Sequence, residues 1–355
     1  MGDNIKIIRV NDKNGEKAAG SILQKGNAVW TLGEFGQNGI RKVSYELLAW
    51  GRALADKKGA KLVTVILGYN MKEQLKSLIY HGADAVLAVE SRSLAHFKVD
   101  AHSRILEHLA RKYAPDIFIA SATTYGRTVM PVLSAKLKTG LTADCTNLDI
   151  EEESGLLIQT RPAIGGNVMA TIKTPRSKPQ MSTVRPRSKR ILKEDRTRKG
   201  EIIFEEFSED AFRSKVELLQ FIPNEKGSIP LEEAVVVVSG GKGMKRAENF
   251  KMLETLAELL GGSVGASRQA VDMGWVPYSK QIGLSGKTVS PRLYIAAGIS
   301  GAVQHIAGMS SAETVVAINT DPDANIFKVC DFGINGDLFD IIPALIKRLK
   351  EEKRK

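Results

Sequence analysis

The sequence predicts an α/β protein with two doubly wound parallel-sheet domains, the first of which carries an antiparallel extension. Three observations predict this fold class. Apolar runs of strand length alternate with amphipathic helical patterns through the first half of the chain. Short extended segments follow in the middle, and a second alternation with glycine-containing turns fills the last third. Two domains are expected because the 355 residues exceed the roughly 250–300 at which a single core stops growing.

The first domain is predicted from four apolar runs that have the length and composition of buried parallel strands. These strands are expected at residues 28–32, 62–67, 85–89 and 117–120. Helical patterns are expected at residues 42–57, 72–81, 100–113 and 126–138. In the third helix, Ile105, Leu109 and Tyr113 recur at four-residue spacing and therefore share one face. Strands and helices in this alternation indicate a doubly wound sheet.

The middle of the chain shows shorter extended pieces separated by turn residues. The pieces are expected at residues 148–150, 156–160, 168–172 and 181–184, with turns at Gly155, Gly165, Gly166 and Pro175. This pattern predicts an antiparallel addition to the first sheet, and one more extended run follows at residues 201–207. The periodicity is then interrupted at Asn224, Gly227 and Pro230. We expect an N-terminal extension at 1–26, a first domain at 27–207, a linker at 208–230 and a second domain at 231–355.

The second domain begins with a β-branched run at residues 234–238, which predicts a buried strand. An amphipathic helix is expected at 248–260, and further strands are expected at 293–297, 314–318 and 326–329. A closing helix at 336–350 aligns Leu338, Ile342 and Leu349 on one apolar stripe. The second domain is therefore also expected to be α/β.

Cysteine and histidine usage excludes several classes of protein. Cys145 and Cys330 are the only cysteines and form no Cys-x-x-Cys pair, which argues against a disulfide framework, a structural zinc site or a cysteine-ligated iron–sulfur cluster. The five histidines form no His-x-x-x-His pair, so no metal is expected. No apolar run approaches the ~18–20 residues of a membrane span, and the first residues lack a signal-peptide layout. We expect a cytoplasmic protein without membrane insertion.

The formal net charge of +11 raises a nucleic acid or an acidic protein as a partner. Part of the excess is local, because residues 185–199 hold eight lysines and arginines against Glu194 and Asp195. That stretch has no aromatic residue on which a base could stack. A solvated basic linker is therefore the simpler interpretation, and a nucleic-acid-binding adaptor is the alternative.

In the second domain the turns after the predicted strands are rich in glycine and small polar residues. They span residues 239–243, 265–268, 283–286, 298–301 and 319–321. Ligands collect at the carboxyl ends of parallel strands, where glycine lets backbone N–H groups approach a phosphate. Several such turns on one edge suggest a dinucleotide, although any α/β fold needs glycine at some of its turns.

Two common nucleotide motifs are absent. The run from Gly241 to Gly243 lacks the third glycine of the dinucleotide fingerprint, and Gln281 stands where a P-loop ending at Thr288 would need glycine. These departures argue against a standard dinucleotide fingerprint and against ATP hydrolysis. His305 lies between apolar neighbours, so that packing in the core is the alternative to a role as a ligand.

The chain resembles the electron-transfer flavoprotein α subunits over nearly its whole length after about residue 26. The matching stretches in the last third are Val-Ser-Gly-Gly-Lys-Gly at 238–243, Val-Gly-Ala-Ser-Arg-Gln-Ala-Val-Asp at 264–272, Leu-Tyr-Ile-Ala-Ala-Gly-Ile-Ser-Gly-Ala-Val-Gln-His at 293–305, Val-Ala-Ile-Asn-Thr-Asp-Pro at 316–322 and Asp-Phe-Gly-Ile-Asn-Gly-Asp-Leu at 331–338. The first domain resembles the family at residues 122–127 and 140–146. Because the stretches are long and collinear, the resemblance is more specific than any single glycine motif.

The resemblance implies that the second domain is an FAD-binding domain. It implies that Arg268 lies over the isoalloxazine ring, that Ser285 donates towards flavin N5 and that His305 lies at the O2/N1 side, so that these three tune the flavin. The other residues implied to contact FAD are Lys242, Gly243, Ser267, Ile282, Gly283, Leu284, Ser300, Gly301, Ala302, Val303, Gln304, Asn319, Asp337 and Leu338. Lys242 and Ser285 depart from the commonest family residues, arginine and threonine, but keep a hydrogen-bond donor.

The resemblance also implies the partners. Family members pair with a β subunit, mainly through the first domain, and exchange electrons with an acyl-CoA dehydrogenase or a membrane quinone reductase. In one subset the complex bifurcates electrons from NADH, and residues 140–146 together with Ser285 resemble that subset and the relatives associated with nitrogen fixation. The alternatives are a basic nucleic-acid-binding adaptor with an α/β nucleotide-binding domain, and a nucleotide enzyme that acts without a partner chain.

Overall fold

The computed structural model describes residues 5–10, 19, 23, 25–163, 168–220 and 229–353. The described residues form two compact units, which divide after Gln220. The predicted turn residues Gly165 and Gly166 and the predicted boundary residues Asn224 and Gly227 lie outside the described residues. Each unit is an α/β unit with a parallel sheet, which confirms the predicted fold class.

The first unit is built on an eight-stranded sheet in which every pair of neighbours is parallel. The strands of this unit are β1 (Ile5–Val10), β2 (Ala28–Gly33), β3 (Phe35–Gly36), β4 (Gly39–Ile40), β5 (Lys61–Gly68), β6 (Ala85–Glu90), β7 (Ile117–Ser121), β8 (Leu141–Cys145), β9 (Asn147–Ile150), β10 (Leu157–Pro162), β11 (Met169–Ile172), β12 (Gln180–Val184) and β13 (Gly200–Glu205). The order in the large sheet is β1-β13-β6-β5-β2-β7-β12-β8.

Helices cover both faces of this sheet. They are α1 (Lys42–Lys58), α2 (Lys72–Tyr80), α3 (Val99–Tyr113) and α4 (Thr124–Leu137). The first two pack with Val29 in one apolar cluster, and the other two pack with Trp30 in a second cluster. Since successive residues of a strand point to opposite faces, the two clusters lie on either side of the sheet. This is the doubly wound arrangement that the alternation of strands and helices predicted.

The predicted antiparallel extension exists, but it is smaller than expected. The strands β9, β10 and β11 form a three-stranded antiparallel sheet. The assignment of residues 181–184 to this extension was wrong, because β12 lies parallel between β7 and β8 in the large sheet. All five β12 residues are buried although three are polar, and Gln180 accepts a hydrogen bond from the Leu157 amide at 2.8 Å. Because three of its residues are polar, the sequence did not reveal that this strand is buried inside the large sheet.

Three further strands complete the large sheet, and two of them were not predicted as its members. The extended run predicted at 201–207 forms β13, which is parallel to both of its neighbours inside the sheet. Strand β8 was not predicted. Residues Ile5–Val10, which were predicted as part of an N-terminal extension, pair with β13 as the edge strand β1. Pairing between strands that are far apart in the sequence decided each of these positions.

The second unit has a five-stranded parallel sheet. Its strands are β14 (Val236–Gly240), β15 (Ser263–Ala266), β16 (Leu293–Ala297), β17 (Thr314–Asn319) and β18 (Phe332–Asn335), in the order β15-β14-β16-β17-β18. Its helices are α5 (Phe250–Leu259), α6 (Arg268–Asp272), α7 (Val303–Met309) and α8 (Leu338–Glu352). The strand predicted at 326–329 was wrong, because Asn325–Lys328 form a 3₁₀ helix and the fifth strand follows it.

The first half of the basic stretch at 185–199 packs within the first unit, to which the whole stretch belongs. The Arg185 side chain is 6% exposed and forms two hydrogen bonds with Asp144, at 3.0 Å and 2.9 Å. Lys189 lies 4.2 Å above the centre of the Trp50 ring, where burial lowers the pKa of its ammonium group. These contacts account for Arg185 and Lys189 without a nucleic acid, whereas Arg190, Lys193, Arg196 and Lys199 are exposed, so the interpretation as a solvated stretch holds only for the second half.

We expect Arg185→Met to destabilise the first unit by about 2–3 kcal/mol, because Asp144 would lose two charge-assisted hydrogen bonds and keep its charge. Chemical denaturation followed by circular dichroism measures the change. Arg196→Met is the matched control, since Arg196 is 79% exposed and pairs only with Glu194 among the described contacts, so its cost should stay near zero. Equal losses in the two variants would contradict a structural role for Arg185.

Candidate functional site

A cavity of about 760 Å³ opens at the carboxyl edge of the second sheet. The sheet order is β15-β14-β16-β17, so the connection after β14 runs to one side and the connection after β16 runs to the other, which makes the gap between β14 and β16 a topological switch point. In open parallel sheets this point is the usual place for a ligand. The cavity lies within the second unit, and its volume falls in the range of small-molecule and cofactor sites.

The cavity brings together most of the residues that the resemblance implied. Those that line it are Lys242, Gly243, Ser267, Arg268, Ile282, Gly283, Leu284, Ser285, Ser300, Ala302, Gln304, His305 and Asn319. Five further residues line it that were not among the implied contact residues, namely Gln269, Asp272, Gly298, Ile299 and Asp321, although the last three stand in turns that the sequence predicts at this edge. Asp272 could have been found, because it follows Arg268 by four residues on a helical segment.

Four of the implied contact residues do not line this cavity. Gly301 is buried and Val303 is 52% exposed. Asp337 caps α8 by accepting a hydrogen bond from the Phe339 amide at 2.9 Å, and Leu338 packs in the core with 5% exposure. The contact of these four residues with a cofactor stays a prediction.

Two glycine turns meet at the switch point, one after β14 and one after β16. A methyl group on Gly241 would lie 2.2 Å from the Gly298 carbonyl oxygen, and one on Gly243 would lie 2.7 Å from the Gly298 Cα. The Gly243 amide donates to the Gly298 oxygen at 3.0 Å. Glycine is therefore needed here because two backbones touch, and the Gly243 amide is already used within the protein.

Free backbone donors are found in the turn that precedes α7. Within the described part of the chain, the amides of Ser300, Gly301 and Ala302 have no hydrogen-bond acceptor. The turn is held in place because the Ile326 amide donates to the Ser300 oxygen at 3.1 Å. Three consecutive free amides fit a phosphate group, and the Lys242 ammonium group on the cavity wall adds positive charge.

Ser285 presents a hydroxyl group to the cavity. Its oxygen accepts a hydrogen bond from the side-chain amide nitrogen (Nε2) of Gln281 at 3.0 Å. A hydroxyl group has one hydrogen and can accept in addition, so the Ser285 hydrogen remains available to a ligand. The expected role of Ser285 as a donor fits this geometry.

The charged residues of the cavity wall are of both signs. Arg268 begins α6, and its guanidinium group contacts the Asp272 carboxylate at 3.3 Å. Its side chain is 72% exposed, so that the group can turn towards a ligand. With Lys242 and Asp321 included, two cations face two carboxylates around the cavity. A doubly charged pyrophosphate would add negative charge to an otherwise balanced wall.

His305 is 6% exposed and both of its ring nitrogens have partners. Its Nδ1 lies 3.1 Å from the Ile282 carbonyl oxygen and its Nε2 lies 2.8 Å from the Tyr294 hydroxyl group. A carbonyl oxygen only accepts, so Nδ1 carries the hydrogen and Nε2 accepts from Tyr294. Burial lowers the pKa of His305 to about 4, and the ring is therefore neutral at neutral pH. His305 lines the cavity without contributing charge.

Other kinds of site find little support in the part of the chain that the structure describes. The described residues contain no group of three or more histidines, cysteines or carboxylates arranged to hold a metal ion. Within the same ranges, none of the helices combines the length and apolar character that a membrane span needs.

Comparisons with known proteins agree with this geometry. Residues 29–210 match the family model of the electron transfer flavoprotein domain, and residues 230–310 match that of the electron transfer flavoprotein FAD-binding domain. The chain is 47% identical to the electron transfer flavoprotein subunit alpha of Thermoanaerobacterium thermosaccharolyticum, over 92% of this chain and 98% of that protein.

Two further relatives carry more specific names. The acryloyl-CoA reductase electron transfer subunit beta of Anaerotignum propionicum is 36% identical, over 92% of this chain and 96% of that protein. The subunit LctC of the lactate dehydrogenase (NAD(+),ferredoxin) of Acetobacterium woodii is 37% identical, over 88% of this chain and 74% of that protein.

Proposed function

This chain belongs to the electron transfer flavoprotein family as an α subunit, and from that premise we propose that the cavity of its second unit holds the FAD. One observation carries the proposal. Ser300 and Ala302, which have free amides, and most of the implied contact residues converge on one cavity at the switch point of the sheet. FAD, when bound, supplies the capacity to accept and release electrons.

The residues of the cavity would divide the work of holding the cofactor. The amides of residues 300–302 and the Lys242 ammonium group would bind the pyrophosphate by charge-assisted hydrogen bonds. Ser285 would donate its free hydrogen to the isoalloxazine ring, and Arg268 would supply positive charge close to that ring. His305, held neutral by burial, would form an uncharged part of the wall.

The partners are proposed from the family and from the names of the relatives. We propose a heterodimer with a β subunit that exchanges electrons with an acyl-CoA dehydrogenase. The name of the Anaerotignum propionicum relative, an electron transfer subunit of acryloyl-CoA reductase, supports this partner over a quinone reductase. The name of the Acetobacterium woodii relative, which includes both NAD(+) and ferredoxin, supports an electron-bifurcating complex. The alternative of a nucleic-acid-binding adaptor is not favoured.

The amide of Ala302 offers a direct test of FAD binding. Ala302 has a φ of −58°, which proline can adopt, and its amide has no acceptor in the described residues. We expect Ala302→Pro to weaken FAD binding by roughly 10- to 100-fold, the worth of one hydrogen bond to a charged group. Flavin absorbance per heterodimer and titration with FAD measure the change.

The matched control is Ala302→Ser, which keeps the amide and should bind FAD as the wild type does. A wild-type heterodimer that stays free of flavin in excess FAD would overturn the proposal. Addition of acyl-CoA with its dehydrogenase, or of NADH, to the FAD-loaded heterodimer then identifies the electron donor. If neither addition lowers the absorbance of the bound FAD, the proposed partners are refuted, whereas the proposal of FAD binding is not affected.

A further inference from the structure

The loop that carries Ser285 is closed on itself. The Lys287 amide donates to the Gln281 oxygen at 2.8 Å, and the Gly283 amide donates to the Lys287 oxygen at 3.1 Å. Gly286 has no room for a side chain, since a methyl group there would lie 2.5 Å from the Gln281 oxygen. These contacts fix the backbone of the loop on both sides of Ser285.

Two contacts from outside the loop hold its tip. The Tyr278 hydroxyl group donates to the Ser285 carbonyl oxygen at 2.6 Å. The Leu284 amide donates to the Gln304 carbonyl oxygen at 2.9 Å, which ties the loop to the first turn of α7. The Ser285 backbone is therefore fixed before any ligand binds. Only the rotation of its hydroxyl group is still free.

Gln281 decides that rotation. Its side chain is 3% exposed and does not line the cavity, whereas its amide nitrogen donates to the Ser285 hydroxyl oxygen at 3.0 Å. A hydroxyl group that receives a hydrogen bond from an amide has to direct its own hydrogen elsewhere. No acceptor for that hydrogen exists among the described residues, which leaves the cavity.

We propose that Gln281 is a positioning residue that keeps Ser285 a hydrogen-bond donor to the cofactor ring. The inference rests on the proposed function, because it requires FAD in this cavity. A side-chain amide is well suited to the task, since it does not titrate and the hydroxyl group therefore keeps one orientation at every pH at which the protein is folded. Gln281 acts through Ser285 and not by contact with the ring.

A double-mutant cycle in the FAD-loaded heterodimer tests this coupling. Gln281→Met keeps the length of the side chain and removes the amide. We expect it to lower the equilibrium constant for one-electron reduction of FAD by roughly 3- to 10-fold, because a hydrogen bond to the ring is stronger when the ring carries the added negative charge. Ser285→Ala should lower this constant at least as much, and Gln281→Met should add nothing to Ser285→Ala. Redox titration followed by flavin absorbance measures all four proteins.

Two further variants guard the conclusion. Ser285→Thr keeps the hydroxyl group, so Gln281→Met should still lower the equilibrium constant in that background. Gln281→Glu, which fits the same space, replaces Gln281→Met if the latter does not fold. Its carboxylate would accept the Ser285 hydrogen and should lower the constant further.

The outcomes separate the inference from the function on which it rests. A heterodimer that binds no FAD overturns both. If FAD binds and Gln281→Met changes the constant equally with and without the Ser285 hydroxyl group, only the inference is overturned, because such a change is a general effect on the fold. The inference is also overturned, and FAD binding is not, if Gln281→Met leaves the potential unchanged.

Discussion

Replacement of Gly301 by alanine should unfold the turn that we propose for the FAD pyrophosphate. Gly301 has a φ of +83°, and an added methyl group would lie 2.3 Å from the backbone nitrogen of Ile326 and 2.7 Å from its Cα. Backbone atoms cannot yield as a flexible side chain can. Because the steric contact adds to the strain of a left-handed backbone, we expect the free energy of unfolding to fall by roughly 3–4 kcal/mol. Displacement of the amides of residues 300–302 should also weaken FAD binding by about 100-fold.

Gly261 is the matched control for Gly301. It has a φ of +65°, but its surroundings are open, with no atom within 4 Å of an added methyl group. Gly261→Ala should therefore cost only the backbone strain, about 1–2 kcal/mol, and should retain FAD. Thermal melting and flavin absorbance measure both variants. If Gly301→Ala keeps its FAD and has the same melting temperature as Gly261→Ala, the turn tolerates the methyl group and our account of it is wrong.

Replacement of Arg268 by alanine should make the bound FAD harder to reduce, because a positive charge favours the addition of electrons. A unit charge ~4 Å away at an effective dielectric constant of ~20 is worth roughly 4 kcal/mol, or on the order of 170 mV in a one-electron couple. The Arg268 side chain is 72% exposed and contacts Asp272 at 3.3 Å, so solvent and this carboxylate reduce the effect. We expect the potential to fall by roughly 50–100 mV. Redox titration of the heterodimer measures the change.

Asp272 makes the prediction for Arg268 sharper, since its carboxylate lines the same cavity. Asp272→Asn removes a negative charge and should raise the potential, whereas Arg268→Lys keeps the charge and should change it little. The FAD content of all three variants should stay near that of the wild type, because the proposed pyrophosphate contacts are untouched. Shifts of the same sign in Arg268→Ala and Asp272→Asn would refute an electrostatic role for this pair.

The residues proposed to act on FAD differ in how readily the sequence alone predicts them. Arg268, Ser285 and His305 are visible because they stand in stretches that resemble one family. Gln281 is visible only as the residue that breaks a P-loop, yet its amide reaches the Ser285 hydroxyl group at 3.0 Å. His305 was expected near the flavin, but its neutral state follows from burial, and its Nε2 is occupied by Tyr294, which lies eleven residues away on β16.

The glycine turns also show that position is easier to predict than cause. The sequence correctly predicted that these turns lie at strand ends, and several of them border the cavity. The interpretation that glycine serves the approach of a phosphate was incomplete, because Gly241 and Gly243 are required by contact with Gly298 on another turn. The free amides belong to residues 300–302 instead.

The sequence by itself determined most of the helices and strands, roughly where they end, and which family the chain resembles. These properties depend on neighbouring residues, because side-chain periodicity and turn chemistry are local. Only the tertiary structure decided that β12 and β13 are parallel members of the large sheet, that Asp272 joins the cavity wall and that Gln281 orients Ser285. Strand order, burial and hydrogen-bond partners depend on distances between residues that are remote along the chain, and such distances exist only once the chain has folded.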